Sequence, residues 1–179
     1  MTTTTRKICI TAMGIALFVV LTLCLQVPVF ENYYLCLGYV VMTVFCCYFG
    51  PFSAMAVGGL GVVLYCLLTN GLRGMPGWAV GNLFIGLMVG LTCKYSCKLK
   101  NKRLSCLLVG VSIVVSTAAA MLGIKSLTES FLYAQPFVLR VAKNSYAFVA
   151  DAAVMLMSLP ICFGLKGVIT KTFPEEIIR

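Results

Sequence analysis

Between Ile8 and Leu25 the chain runs without a charged residue. That is close to the length a helix needs to cross a bilayer. Comparable apolar stretches recur, divided by Pro28, Gly50-Pro51, the loop-like Thr69–Gly77 and the basic stretch Lys94–Arg103. Of the 179 residues, 61% are hydrophobic and 11% charged, against roughly 45–50% and about 25% in soluble domains. A soluble protein this small has too much surface to hide so much apolar mass. A soluble enzyme, a disordered chain and a nucleic-acid binder are excluded. What remains uses lipid as solvent and has no room for a separate catalytic domain.

The pattern predicts an all-α integral membrane protein, one transmembrane domain over residues 1–179. Six helices are expected near 7–26, 37–49, 52–68, 78–93, 104–122 and 144–163, with Pro160 as a kink. Pro cannot continue a helix and Gly favours its end, so Gly50-Pro51 makes a very tight turn. Arg6 and Lys7 before an apolar run imitate a signal peptide, but the run is long enough to span and no small-residue cleavage site follows. The segment 27–36 is polar and aromatic enough to leave the hydrocarbon, and the mixed segment 123–143 has room for a short interfacial helix.

Six helices put both termini on one side. Arg6, Lys7, Lys94, Lys98, Lys100, Lys102, Arg103, Lys166, Lys171 and Arg179 fall on that side. Only Arg73, Lys125, Arg140 and Lys143 fall on the other. Basic residues concentrate in cytoplasmic connections, so both termini are expected in the cytoplasm. The net charge of +9 is then mostly topology. The longer outer connections 27–36, 69–77 and 123–143 make an outward-opening ligand site the natural expectation.

Several residues are costly where the pattern puts them. Asp151 is an acid inside a span, which costs roughly 2.5–3.5 kcal/mol and marks a functional candidate. Arg140, Asn144, Ala147 and Asp151 share one face if their helix extends back to Arg140, bordered by Phe148. Asn82, one turn below Trp78, must find partners in the membrane. It suits either an interhelical hydrogen bond or a heterocyclic or carboxamide ligand. Trp78, Tyr33, Tyr34 and Tyr39 are either interface anchors or stacking surfaces. Small residues recur at four-residue spacing, Ala12 and Ala16 around Gly14, Ala54 and Gly58 with Gly59 and Gly61, and Gly86 with Gly90, and allow close helix approach.

The absences also narrow the reading. No phosphate-binding Gly-rich loop is present, and no inverted repeat of a self-contained carrier is visible. Five acids and no His leave little for acid–base chemistry, so an enzyme is not expected. Ten cysteines read mainly as small apolar filler. Cys93, Cys97 and Cys106 cluster without a clear fourth ligand for a structural zinc, and no metal or cofactor is expected.

The chain resembles the substrate-binding S component of energy-coupling factor (ECF) vitamin transporters, in the riboflavin-type group. The resemblance is carried by Ala12-Met-Gly-Ile-Ala16, Leu37-Gly38-Tyr39, Phe49-Gly50-Pro51, Gly58-Gly59-Leu60-Gly61, and Pro76-Gly77-Trp78 through Asn82, Gly86 and Gly90. It covers most of residues 8–95 and weakens beyond Lys100. It implies a compact six-helix bundle with an outward pocket, a first outer loop acting as a lid, and a partner face on the first helix. The implied partners are a vitamin or vitamin precursor, a transmembrane coupling subunit and two ATPases. Ala12, Gly14 and Ala16 would meet the coupling subunit. Tyr33, Tyr34, Tyr39, Arg73, Trp78, Asn82, Arg140, Lys143, Asn144 and Asp151 would serve the ligand. The family often carries an Asp in the Gly-rich third helix. Here Gly61-Val62-Val63 stands instead, which leaves the ligand open. The competing expectation is a structural or assembly subunit of a larger membrane complex, with Asn82 and Asp151 spent on helix–helix contacts.

Overall fold

The computed structural model describes residues 3–24, 26–30, 33–71, 74–99 and 101–173, with 26–30 and 33–35 as backbone only. Among the described residues the helices form six rods. Helix α1 is Thr3–Cys24, α2 Gly38–Tyr48, α3 Pro51–Leu68 and α4 Met75–Ser96. The fifth rod joins α5 (Lys102–Ala118), a π-helical segment (Ala119–Lys125) and α6 (Ser126–Tyr133). The last rod is α7, Phe137–Thr172. Five of the six are long and apolar enough to cross a membrane, and α2 is shorter. The rods close into a ring: α1 lies against α2 and α3, α3 against α4, α4 against α5, α5 against α7, and α7 against α2.

Three regions differ from the expected outline. The segment 27–36 is built into an antiparallel hairpin, β1 (Gln26–Phe30) and β2 (Tyr33–Cys36), with Gln26 opposite Cys36 and an irregularity between Pro28 and Phe30. The segment 123–143 is almost entirely helical and breaks only at residues 134–136, where Ala134 adopts φ +49° ahead of Pro136. The last helix begins at Phe137 and passes Pro160 without ending. At 36 residues it is about 54 Å long, well beyond the roughly 30 Å hydrocarbon core.

The two ends of the bundle are built differently. At one end lie the Gly50–Pro51 turn, the α4–α5 connection and both ends of the described chain. There α3 and α4 meet backbone to backbone. A Cβ on Gly86 would stand 2.7 Å from the Met55 nitrogen, and one on Gly90 2.6 Å from the Pro51 Cα. Only glycine allows that approach. At the other end lies the hairpin, packed on α7. Eleven residues make α2 only about 16 Å long, so the hairpin completes its side of the bundle. Non-helical backbone near membrane depth is tolerated where protein covers it or where it lines a water-filled cavity.

Candidate functional site

Polar side chains gather beneath the hairpin, and they begin with the first turns of α2 and α4. Pro76 suits the first turn of α4, where its missing N–H costs nothing. Trp78 and Asn82, one turn apart, then share a face toward α2. The Trp78 Nε1–H donates to the Tyr39 hydroxyl at 2.9 Å, and that hydroxyl donates to Asn82 Oδ1 at 2.9 Å. The Asn82 amide reaches the Gly58 carbonyl on α3 at 3.5 Å. Tyr65 stands edge-on to Trp78 at 5.6 Å, and Phe18 edge-on to Tyr39 at 6.0 Å. Tyr39 and Asn82 are fully buried. Asn82 therefore makes the interhelical bonds that were one of its two expected roles.

The α7 side of the cluster is set by that helix reaching back past Arg140. Asn144, Ala147 and Asp151 are buried along one face, with Arg140 half-buried above them. The Asn144 amide donates to Ser126 Oγ at 2.9 Å and to Glu129 Oε2 at 3.1 Å. Arg140 pairs with Glu129 at 3.5 Å and lies over the Tyr133 ring at 5.6 Å. Asp151 interacts electrostatically with Lys125 and with the Tyr39 hydroxyl, which joins the α7 face to the Tyr39–Asn82 chain. Cys36, at the base of the hairpin, is buried within electrostatic reach of Asp151 and Lys125.

Of the residues expected at a ligand site, Tyr39, Trp78, Asn82, Arg140, Asn144 and Asp151 come together here. Lys143 is half-buried on α7, off the Asn144–Asp151 face. Arg73 and the side chains of Tyr33 and Tyr34 lie outside the described residues. On α1, Ala12 and Ala16 are exposed, as a partner face requires. Gly14 faces the other way, buried against Phe45 and Val57, so it belongs to packing within the chain. The cysteine cluster is dispersed. Cys97 is exposed and Cys106 half-buried. The Cys93 sulfur lies 3.6 Å from that of Cys47. Among the described residues no group of three or more His, Cys, Asp or Glu side chains is placed to hold a metal.

Lys125, Ser126 and Glu129 are members of the cluster that the apolar periodicity misplaced. Lys125 in particular is not a loop cation on the outer side; it is buried inside the fifth rod. Buried positions Val109, Ile113, Thr117 and Met121 step by four residues, and the same step reaches Lys125 and Glu129, with Ser126 beside them, while Leu127 and Phe131 face out. A 3.6-residue repeat drifts off that step. The π-helical segment, with its extra residue per turn, keeps to it. One signal was available: in lipid, a buried Asp151 needs a cation, and Lys125 stands four residues from the second acid, Glu129.

As a set, these groups offer hydrogen-bond donors and acceptors, the Glu129–Arg140 ion pair and aromatic faces. Such an arrangement recognises a ligand or ties helices together; it contains no nucleophile held by a general base.

Residues 2–166 match the family described as "ECF-type riboflavin transporter, S component". No curated protein matches the sequence. Among solved structures, the S component for biotin from an ECF-type ABC transporter, determined at 2.1 Å, has the same fold. Its TM-score is 0.68 at 15% sequence identity, over 98% of this chain and 97% of that one.

Proposed function

The chain belongs to the ECF-type riboflavin transporter S-component family, and from that membership we propose that it captures a water-soluble vitamin or vitamin precursor outside a bacterial cell. It would deliver the ligand inward together with a transmembrane coupling subunit and two ATPases. The observation that carries this reading is the family match across residues 2–166, which spans both the hairpin and the polar cluster beneath it. The family is a transporter component, not an enzyme family. Riboflavin, named in the family description, is the first ligand to test.

In this reading the hairpin end faces outward. Both termini and the Lys94–Arg103 connection lie in the cytoplasm, as the distribution of basic residues favours. With Lys125 inside the bundle, the outer side carries only Arg73, Arg140 and Lys143 against ten basic residues on the inner side. The ligand would lie beneath the hairpin and rearrange the hydrogen bonds of Tyr39, Trp78, Asn82, Asn144 and Asp151. The partner face is the exposed stripe of α1 at Ile8, Ala12, Met13, Ala16 and Val20. There the two alanines admit close approach of another helix.

A thermal-shift series of water-soluble vitamins on the folded, purified chain tests the reading. One ligand should raise Tm, and stabilisation by none would count against it. Replacing Ala12 and Ala16 by Trp should abolish transport and leave binding intact; loss of both would overturn the partner assignment. A structural subunit is the second reading, favoured by the interhelical bonds that Asn82 makes to Tyr39 and Gly58. It requires Asp151→Asn to alter stability with uptake unchanged.

A further inference from the structure

The connection between α6 and α7 is tied twice. Ser130 Oγ donates to the Gln135 carbonyl at 2.6 Å, which closes the turn at residues 134–136. A second set of bonds converges on one carboxylate oxygen. Glu129 Oε2 accepts from the Asn144 amide at 3.1 Å and lies 3.5 Å from Arg140 Nη1. The same amide donates to Ser126 Oγ at 2.9 Å. Glu129 is only 5% exposed, and acids are almost never buried so far unless they are paired. It also stands against the first turn of α4. A Cβ on Gly77, the residue before Trp78, would lie 3.3 Å from the Glu129 Cγ. Glu129 is thus the point where α4, α6 and α7 meet at the hairpin end.

The bonding of Arg140 is incomplete. A guanidinium carries five N–H donors in a planar fork, and a carboxylate frequently engages two of them at once. Here Glu129 takes only Nη1, at the long end of hydrogen-bond range. The Tyr133 ring lies under the guanidinium at 5.6 Å. Arg140 Nε is buried, and among the described residues it is the single buried side-chain nitrogen or oxygen without a hydrogen-bond partner. A buried donor left without an acceptor is costly, more so on a charged group. In the guanidinium plane Nε–H and Nη1 point apart. Glu129 therefore fixes the group from one side and leaves Nε–H for an acceptor from elsewhere. The acceptor that suits this edge is a planar one, a carbonyl or carboxylate oxygen.

We propose that Glu129 is a positioning residue of the ligand site. It holds Arg140 and Asn144 in place, so that Arg140 Nε donates to a carbonyl or carboxylate oxygen of the ligand. The inference rests on the binding-subunit reading and adds to it a residue, a donor atom and a ligand class.

The test is a substitution cycle on the full chain in detergent: Arg140→Lys, Glu129→Gln and the two combined, with Tm and calorimetric affinity measured on each. Arg140→Lys keeps the positive charge opposite Glu129 and removes Nε–H. Glu129→Gln keeps an oxygen for the Asn144 amide and removes the charge that holds Arg140. Glu129→Asp, with the charge on a shorter stem, is the second variant at that position and should lose affinity in the same direction. The probes are riboflavin, biotin and pantothenate, which carry a carbonyl oxygen, and thiamine and pyridoxine, which carry none. Wild-type protein should bind one of the first three, and neither of the last two should compete with it. Arg140→Lys should weaken that binding by about tenfold or more, as loss of one hydrogen bond from a charged donor implies. Glu129→Gln should weaken it too, and adding it to Arg140→Lys should cost less than about twofold more, because the carboxylate acts through the arginine. A merely structural pair would lower Tm and leave the affinity of the folded protein unmoved, and so would a donor satisfied by water alone. Unchanged affinity in Arg140→Lys, or simple multiplication of the two single losses, overturns the inference while wild-type binding leaves the functional reading standing. Tight binding of thiamine or pyridoxine, or of none of the five, overturns it as well. The functional reading itself fails only if the full vitamin series gives no stabilisation.

Discussion

The two ends of this bundle are made of the same six rods and obey opposite rules. At the turn end, specificity comes from the absence of side chains: α3 and α4 touch through Gly86 and Gly90, and nothing larger fits. At the hairpin end, α2 starts late, the fifth rod changes to a π-helix, and buried polar groups replace apolar packing. Without a hydrophobic driving force between helices in lipid, close packing and interhelical hydrogen bonds are the two available ways to hold them together. The chain uses one at each end. The first gives a rigid frame. The second gives groups that, in the binding-subunit reading proposed above, exchange their hydrogen-bond partners for a ligand.

The largest expected effect breaks the frame. Gly86→Leu drives a side chain into the Ala54 and Met55 backbone and should cost about 3 kcal/mol or more. Its readout is loss of a monodisperse folded species in detergent. Next is Asn82→Leu at the hairpin end, which strands the Tyr39 hydroxyl and the amide's partners. It should cost only about 1–3 kcal/mol, yet weaken vitamin binding more than tenfold by calorimetry. Equal damage to fold and binding in both variants would erase the distinction between the ends.

A smaller effect sharpens the contrast. The Cys47 and Cys93 sulfurs, 3.6 Å apart on α2 and α4, lie toward the turn end. Oxidation by copper–phenanthroline should link them, with the disulfide-bonded peptide identified by mass spectrometry. Because this end does not rearrange in the account given, vitamin affinity should stay within about twofold. A tenfold loss would show that the ligand site depends on motion between α2 and α4. The smallest effect is expected on the lipid face. Phe131, exposed at 89% on α6, should tolerate Phe131→Leu with a change in Tm within about 0.5 kcal/mol equivalent.

The difference between the ends also explains what the sequence conveyed. The turn end was readable because Gly50-Pro51, the glycine spacing and the basic connection each have one local cause. The α7 face was readable too: Arg140, Asn144, Ala147 and Asp151 need only a continuous helix, and the helix proves continuous from Phe137. Two features were not readable from local pattern. The hairpin over 26–36 depends on packing against α7, a non-local contact. The inward turn of Lys125, Ser126 and Glu129 depends on a π-helical segment that keeps to a four-residue step, and a search for a 3.6-residue repeat reads past it. Gly14 failed for a related reason. Spacing alone groups it with Ala12 and Ala16, whereas its neighbours Phe45 and Val57 claim it for the interior.

The central claim is that the hairpin end is the binding end, and Cys36 reports on it directly. This thiol is buried at the base of the hairpin, within electrostatic reach of Asp151 and Lys125, while Cys97 is exposed at the turn end. Maleimide labelling of each, resolved by peptide mass spectrometry, should be followed with and without a vitamin that raises Tm. The account predicts that the vitamin slows labelling of Cys36 at least tenfold and leaves Cys97 unchanged. A vitamin that binds tightly yet leaves the Cys36 rate unaltered, or protects Cys97 instead, would contradict it.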